Sequence, residues 1–468
     1  MDPLPTSPNS FGNPAAARKL WLLALLAGVC GFAARLWFIR GSVVANPNLA
    51  DSSLYCNYAW NLLHFHTFSM VDPGSDSVPP DSYRDPGYPL LLAALMWPFG
   101  SGNAWYQAVL TAQALLGGLS ATLTVFVASR WLGPAWSFAA GLLLAVWPHN
   151  VAISTYLLSE SLFCFMILSA LGLLLLAEKS TRAAHWGIAG LGFGAAAMVN
   201  ATLTPFGLLL GAMLWLWKAL PRHCIAALVA GSLLLPVAWG ARGLGVPLDD
   251  SAGGRAMANL VQGSWPEYHA VFVRSASGDQ PSNKVLAEIY AEIDLAWHSP
   301  AAWLGVAKNR IAANPGRYIA WYAWKPALLW AWNIRVGVGD VYVSPILHPI
   351  FMTYAPLSLF ESLCVGINPL LFVLMLGAVC IVLGKPAAVA PPVALYAAAL
   401  LVAAETLVYS VLQSEPRYSI PLRPLEMILA ATSCNWLWRC WRRYVEKGAP
   451  PAPVEPVANG KTGGSRPG

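Results

Sequence analysis

One carboxylate in this sequence is placed where it could act on a lipid-linked substrate. Asp51 follows the first long apolar segment, Leu20–Ile39, and opens a short stretch, 51–63, whose apolar residues recur at helical spacing. A carboxylate just beyond the end of a membrane helix lies at the lipid surface, where it could serve as a general base or anchor an acceptor hydroxyl. The structural alternative is that Asp51 caps the amphipathic helix, a position that Asp favours.

A compact polar turn follows in the same region of the chain. It reads Ser82-Tyr83-Arg84-Asp85-Pro86-Gly87-Tyr88-Pro89, and Pro-Gly is a strong turn signal. The turn could present Arg84 or Tyr88 to a phosphate or a sugar. Its structural alternative is a rigid turn with a local ion pair between Arg84 and Asp85.

A second acid begins a later apolar segment. Glu160 follows Ser159, which is typical of a helix N-terminus, and a carboxylate there complements the helix dipole. The functional alternative is that Glu160 faces the same cleft as Asp51.

Cations occur late in the chain, close to the predicted membrane surface. They are Arg310, Arg317 and Lys325, together with Arg417 in the run Glu415-Pro416-Arg417-Tyr418. Such cations often pair with lipid phosphates or extend to the interface, but they could equally neutralise a phosphate leaving group.

The sequence gives no clear pattern for a metal site. His64 and His66 lie near Asp51, but they fall in an amphipathic helix rather than at a ligand spacing, and the eight Cys form no CxxC or Cys/His metal pattern. A divalent cation stays open without being indicated. Glu405, near the middle of an apolar segment, has no assignment.

The composition sets the class of protein that positions these residues. The chain has 468 residues, of which 57% are hydrophobic and 11% charged, whereas soluble domains carry about 25% charged residues. Apolar runs of about 20 residues span a bilayer, and the chain has many. The net charge of +6 is modest, and the basic residues lie in flanks and turns. The sequence therefore predicts an all-α polytopic membrane protein that does not bind nucleic acid.

We predict about ten transmembrane helices, with both termini in the cytoplasm. The predicted spans are Leu20–Ile39, Trp105–Val127, Pro134–Trp147, Ser159–Ala177, Trp186–Ala201, Thr204–Ala219, His223–Ala241, Gly366–Leu383, Pro391–Leu412 and Tyr418–Trp438. The basic residues that set this sidedness are Arg18, Lys19, Arg130, Lys179, Arg182, Lys218, Arg222, Lys385, Arg439, Arg442 and Arg443.

This orientation predicts two large external loops, about 41–104 and 242–344, the first with amphipathic interfacial helices. Pro345–Val365 is assigned to a helix in the interface or against the bundle, because a further span would reverse the C-terminal basic cluster. The domain boundaries are a cytoplasmic tail at 1–18, the membrane domain at 19–441 and a disordered cytoplasmic tail at 442–468.

In this order, the motifs resemble the GT-C superfamily of membrane glycosyltransferases, in the branch of the protein O-mannosyltransferases and the lipid A aminoarabinose transferase. The matching features are Asp51 with Tyr55, the turn Tyr83–Pro89 (the family's YRxPGYP), Ser159-Glu160, Asn314–Tyr318 with Lys325, and Glu415–Tyr418. Two departures make a metal role less expected and leave the acceptor open. Asp51 is followed by Ser52 rather than a second acid, and Asp85 replaces a commoner Pro or Thr.

The resemblance implies an inverting transferase that uses a sugar on a polyprenyl phosphate such as undecaprenyl phosphate. Asp51 would take the acceptor proton, while Arg84, Lys325 and Arg417 would hold the phosphate, and Glu160 and Tyr55 would orient the sugar or acceptor. Asp85, Tyr88, Arg317 and Tyr418 complete the expected substrate-binding set. The acceptor would be a glycan, lipid or protein at the outer face of a bacterial inner membrane. The alternatives are a transporter or lipid flippase without transferase chemistry, and a non-catalytic assembly protein.

Overall fold

Long apolar helices make up most of this chain. A computed structural model describes residues 14–276, 278–332, 345–384 and 392–448, with the side chains of 276 and 446–448 left out. The helices are α1 Pro14–Gly41, α2 Asp51–Phe65, α3 Gly87–Phe99, α4 Asn103–Ala128, α5 Pro134–Val146, α6 Pro148–Ala152, α7 Glu160–Ala177, α8 Ala183–Ala197, α9 Phe206–Leu216, α10 Arg222–Arg242, α11 Ala252–Gly263, α12 Tyr268–Ala276, α13 Gln280–His298, α14 Pro300–Ala313, α15 Pro315–Leu329, α16 Ile350–Thr353, α17 Ala355–Leu383, α18 Val393–Val411, α19 Pro416–Ser419 and α20 Arg423–Gly448. Two short strands, β1 Val43–Val44 and β2 Ile346–Leu347, pair antiparallel.

The all-α membrane fold predicted from the sequence is confirmed. Within the described residues, α1, α4, α7, α10, α17 and α18 are long and apolar enough to cross a membrane. A seventh span results if α5 and the following helical segment, which are bent by 54°, are counted as one. The other predicted spans fall on α8, α9 and α20, so the count of ten stays a prediction.

The bend after α5 has a local cause. Pro148 lacks the N–H that would continue the helical hydrogen bonding, and the carbonyl of Ala145 is left at the helix end. The buried Arg35 of α1 donates to that carbonyl at 3.0 Å and to the Gly31 carbonyl at 2.9 Å. A guanidinium at a helix C-terminus is electrostatically favourable. Arg35 therefore stabilises the break that precedes Glu160.

Helices α8 and α10 pack through glycines, which is typical of membrane helix pairs. A Cβ on Gly190 would lie 2.1 Å from the Leu228 carbonyl oxygen, and a Cβ on Gly231 would lie 2.3 Å from the Gly187 carbonyl oxygen. The obstacles are backbone atoms, which cannot turn away as a side chain can. This close approach fixes α8, whose C-terminal end leads to Ala201 at the candidate site.

We expect Gly190→Ala to lower the stability of the protein by about 1–3 kcal/mol, because the added methyl forces the two backbones apart. Thermal unfolding in detergent micelles measures the effect. Gly172→Ala in α7 is the matched control, since no heavy atom lies within 4 Å of its added Cβ. Equal unfolding temperatures for the two variants would contradict the proposed packing.

Helices α11–α14 form a separate small core within the second predicted external loop, 242–344, which we name the second polar region. Its buried members include Val261, Ile289, Ile293 and Trp303. Trp330, which directly follows α15, connects this region to the bundle, where its indole N–H donates to Thr406 of α18 at 3.0 Å. The small core therefore lies next to the ends of the membrane helices.

The assignment of Pro345–Val365 needs correction. Its first part holds β2 and α16, but residues 355–365 form the start of α17, which continues unbroken to Leu383. Pro356 stands in the first turn of α17, where its missing N–H costs nothing. The segment is thus partly continuous with a span rather than a separate interfacial helix.

The helical limits also differ from the proposed domain boundaries. α1 begins at Pro14, before the boundary at 18, and α20 extends to Gly448, beyond the boundary at 441. The remainder of both tails, and Lys385, lie outside the described residues.

Several of the basic residues used for the sidedness prediction lie at one end of the bundle. Arg130 follows α4, Lys179 and Arg182 lie between α7 and α8, Lys218 lies between α9 and α10, and Arg222 begins α10. At the opposite helix ends, Arg417 contacts both Asp51 and Glu160. These basic residues, which the sidedness prediction places on one side of the membrane, thus lie together at the end of the bundle away from Asp51.

Candidate active site

Asp51 lies in the first turn of α2 but does not cap it. The N-cap position belongs to Ala50, which has φ 53° and makes no side-chain capping bond. A positive φ is strained for a residue with a Cβ, at a cost of about 1–3 kcal/mol. The capping alternative for Asp51 is therefore wrong, and its carboxylate is directed elsewhere.

Two guanidinium groups hold the Asp51 carboxylate. Arg84 donates to one oxygen at 2.5 Å and Arg417 donates to the other at 2.8 Å. Burial raises the pKa of Asp51, but the charges of Arg84 and Arg417 outweigh it and hold the pKa well below its usual value. The low pKa keeps the carboxylate ionised. Its side chain is 28% exposed, so a ligand can reach it.

Arg417 also binds the second predicted acid. Its Nε donates to Oε1 of Glu160 at 2.5 Å, and both side chains are more than 90% buried. The other oxygen of Glu160, Oε2, and the Nε of Arg84 have no hydrogen-bond partner among the described residues. The cluster thus joins the start of α2, the start of α7 and α19, and keeps unused hydrogen-bonding capacity. We name Asp51, Arg84, Glu160 and Arg417 the charge cluster.

Aromatic rings flank the guanidinium of Arg84. The rings of Tyr55 and Tyr83 lie 5.4 and 5.6 Å from it, within cation–π range. Tyr55 also packs edge-to-face on Tyr88, with 5.1 Å between ring centroids. Tyr55 therefore lies beside Arg84 of the charge cluster.

Asp81 fixes the turn that carries Arg84, and sequence reasoning missed it. Its carboxylate accepts hydrogen bonds from the hydroxyl of Tyr58, the backbone N–H of Met70 and the backbone N–H of Tyr83. Arg242 at the end of α10 donates to the Asp81 carbonyl at 2.7 Å. The sequence shows only an acid three residues before Arg84, whereas the burial that requires several donors to its carboxylate is visible only in the structure.

The expected local ion pair between Arg84 and Asp85 does not form. Arg84 binds Asp51, whereas Asp85 accepts both of its short bonds, each 2.9 Å, from Arg255. Arg255 is a second residue that sequence reasoning missed. A cation in the first turn of a helix, here α11, opposes the helix dipole, and this was the signal that it needs an acidic partner.

Tyr88 and Tyr418 support the walls of the site. The buried Tyr88 hydroxyl donates to Gln113 at 3.0 Å, and Gln113 in turn donates to the carbonyls of Ser154 and Tyr156. Tyr418 stacks on Tyr409 with 4.9 Å between ring centroids. Burial raises the pKa of Tyr418 well above its usual value, so it stays neutral.

Three predicted cations lie outside the charge cluster. Lys325 is fully buried and donates to the carbonyls of Gly263 and Leu412, at the ends of α11 and α18. Burial lowers its pKa to about 7, and these contacts do not support a role in holding phosphate. Arg317 is half exposed and pairs with Glu267, while Arg310 pairs with Glu292.

The histidines and Glu405 are also separate from the cluster. His64 stacks on Trp60 and bonds to its carbonyl, and His66 ends α2 in the left-handed region. Over the described ranges, no three His, Cys, Asp or Glu side chains form a group that could hold a metal ion. Glu405 is buried in α18, where its Oε2 has no partner among the described residues.

Known proteins resemble this chain in structure but not in sequence. No protein-family model matches it, and no curated protein matches it. The apo oligosaccharyltransferase of Archaeoglobus fulgidus is 12% identical, with 92% of this chain and 52% of that one covered and a TM-score of 0.51. The same enzyme in complex with an inhibitory peptide and a dolichol-phosphate is 12% identical, with 93% of this chain and 52% of that one covered and a TM-score of 0.51. ArnT of Cupriavidus metallidurans, bound to undecaprenyl phosphate, is 16% identical, with 91% of this chain and 62% of that one covered and a TM-score of 0.45.

These matches concern the fold. The chain spans about half the length of the oligosaccharyltransferase, and at 12% identity the likeness establishes the architecture and not the activity. The architecture is the one that the resemblance in the sequence predicted.

Proposed function

We propose that this chain, which has the GT-C membrane fold, is an inverting glycosyltransferase that moves a sugar from a polyprenyl phosphate to an acceptor hydroxyl. The observation that carries the proposal is the charge cluster. A partly exposed carboxylate is held directly between two guanidinium groups at the end of a membrane bundle. This arrangement combines a base with donors for an anion, which are the two functions that the reaction needs.

The two arginines suit the phosphate of the donor. Guanidinium groups make strong charge-assisted hydrogen bonds to phosphate, and Arg84 and Arg417 already bind an oxyanion, Asp51, at 2.5 and 2.8 Å. A polyprenyl phosphate leaves as a stable anion when the sugar is transferred, so no general acid is required. One carboxylate can therefore suffice, in contrast to the two of hydrolytic glycosidases.

Donor binding would also activate Asp51. While both arginines bind it, the carboxylate is a weak base because its pKa is held low. A phosphate that accepts the guanidinium hydrogens would remove these partners and raise the pKa of Asp51. The base would then be strongest when the donor is in place, and it would take the proton of the attacking hydroxyl.

This model predicts different pH profiles for the free and the donor-bound enzyme. Asp51 acts when ionised, so its lowered pKa in the free protein keeps it active well below neutral pH. Donor binding raises that pKa, and the acid limb of kcat should lie at higher pH than the acid limb of kcat/KM for the donor. The donor is a phosphodiester and does not titrate in this range. Coincident limbs, or the reverse order, would contradict the activation of Asp51 by the donor.

Glu160 and Tyr55 would orient the sugar or the acceptor. The buried Oε2 of Glu160 accepts no hydrogen bond from the described residues, and a hydroxyl is a suitable donor to it. Asp85 would act indirectly, through the turn that it stabilises. The basic residues at the opposite end of the bundle support an extracytoplasmic site, because positive charge favours the cytoplasmic side.

A transporter or lipid flippase is the second candidate. Broken helices and intramembrane acids are typical of transporters, and this chain has the bend after α5 and the buried Glu405. The charge cluster at the helix ends favours the transferase instead, because a transport pathway would need polar residues through the bundle.

The decisive experiment supplies the purified protein in lipid vesicles with a panel of labelled polyprenyl phosphosugars and acceptors. Mass analysis should reveal a glycosylated product with at least one donor, and the product should have inverted anomeric configuration. Movement of lipid across the vesicle membrane without any product would support the flippase. Glu267→Gln provides a control that changes a carboxylate outside the charge cluster.

A further inference from the structure

Arg255 connects the second polar region to the turn that carries Arg84. It lies in the first turn of α11, and its Nη2 is 2.9 Å from each carboxylate oxygen of Asp85. The two side chains are only 18% and 13% exposed. The contact is therefore a largely desolvated ion pair. A solvent-exposed ion pair would contribute little to stability.

Backbone contacts join the same two segments. The N–H of Ser82 donates to the carbonyl of Asp250 at 3.0 Å, and Ser82 forms a parallel bridge with Ser251. Ser251 caps α11 by accepting from the N–H of Gly254 at 3.1 Å. The start of α11 and the turn before Arg84 are thus aligned by main-chain geometry, and Arg255 adds the side-chain contact.

Asp85 has a second partner in the membrane bundle. Its Oδ2 accepts the backbone N–H of Ala201, at the junction between α8 and α9, at 3.2 Å. The carboxylate is therefore held from two directions, by α11 and by the bundle. Because Arg84 is the adjacent residue, the position of Asp85 determines where the Arg84 side chain begins.

We infer that Arg255 is a positioning residue for the transfer reaction, which holds Asp85 so that Arg84 is aimed at Asp51 and at the donor phosphate. This inference rests on the proposed function and deepens it. Both acceptors of Asp85 engage Arg255 directly, so Arg255 acts through Asp85 rather than by binding phosphate itself. The second polar region thereby becomes part of the active site without contributing a reacting group.

The test compares four variants: Arg255→Lys, Arg255→Met, Asp85→Asn and the double variant Arg255→Met/Asp85→Asn. A single nitrogen of Arg255 contacts both oxygens of Asp85, so the single ammonium of lysine can replace it. We expect the kcat of Arg255→Lys to stay within about 3-fold of the wild-type value. Arg255→Met should lower kcat by about 10- to 100-fold, because a small misplacement of a group at the reacting centre has effects of that order. The kcat of the double variant should be no lower than that of the less active single variant, because the two residues act through one contact.

Arg310→Met is the matched control. Arg310 and Glu292 form an ion pair in the same region, with 16% and 12% of their side chains exposed, but neither contacts the charge cluster. Loss of this pair should lower the unfolding temperature while leaving kcat near the wild-type value. A merely structural role for Arg255 would give the two variants the same pattern.

Binding of undecaprenyl phosphate, measured by native mass spectrometry, separates failure of this inference from failure of the proposed function. Arg255→Met should weaken binding about 10-fold or more, and Arg310→Met should not. If the wild type binds the lipid but forms no product with any donor, the proposed function fails while the binding comparison still tests Arg255. Wild-type activity and binding in Arg255→Met, or no binding by the wild type, would overturn the inference.

Discussion

Asp51→Asn is expected to slow sugar transfer by about 10²- to 10⁴-fold, the usual contribution of a general base. The amide keeps the shape of the side chain and its carbonyl oxygen, but it cannot accept the proton of the attacking hydroxyl. It also removes the negative charge that Arg84 and Arg417 now share. The quantity to measure is kcat at saturating donor, with product formation followed by mass analysis.

Binding and catalysis should change in opposite directions in this variant. In the proposed reaction Asp51 would compete with the donor phosphate for the same guanidinium hydrogens, so Asp51→Asn should bind undecaprenyl phosphate at least as tightly as wild type. Glu267→Gln, which removes a carboxylate paired with Arg317 outside the cluster, should leave both quantities nearly unchanged. A wild-type kcat in Asp51→Asn would exclude the carboxylate as the base.

The lengths of apolar runs made the fold predictable. Runs of about 20 residues have few stable arrangements other than membrane helices, and ionisable residues then remain at the helix ends. Asp51, Glu160 and Arg417 each lie beside such a run. Their approach to one another in the structure follows from this shared placement at one end of the bundle.

The choice of partners was not predictable. Arg417 binds a residue 366 positions away, and a local pattern carries no information about such a pairing. Arg84 and Asp85 are adjacent and of opposite charge, which suggested a local pair, yet each finds its partner in another segment. Neighbouring side chains in a turn diverge, and a distant chain can offer better geometry than the next residue.

The role of Lys325 was obscured for a related reason. A cation near the membrane surface can bind a phosphate or the carbonyls at helix ends, and both choices are electrostatically favourable. Lys325 takes the carbonyls of Gly263 and Leu412, which only meet once the second polar region has packed on the bundle. A lysine at this position predicts either a phosphate or helix-end carbonyls as its partner, and the sequence does not distinguish between them.

Arg417→Met is expected to have the largest combined effect on activity and stability. Arg417 is 7% exposed and binds two carboxylates, Glu160 at 2.5 Å and Asp51 at 2.8 Å. Removing it leaves Glu160 buried without a counter-charge, and breaking such a buried pair costs about 3–5 kcal/mol. Loss of one guanidinium from a reacting anion should independently lower kcat by about 10²- to 10³-fold. Thermal unfolding in micelles and kcat measure the two effects.

The double variant Arg417→Met/Glu160→Gln separates these effects. Neutralising Glu160 removes the buried charge left by the first substitution, so most of the lost stability should return. Transfer should not recover, because the guanidinium that faces Asp51, and that in the proposed reaction would bind the leaving phosphate, is still missing. If the double variant regained both stability and activity, Arg417 would be a structural counter-charge for Glu160 and the phosphate would have to be held elsewhere.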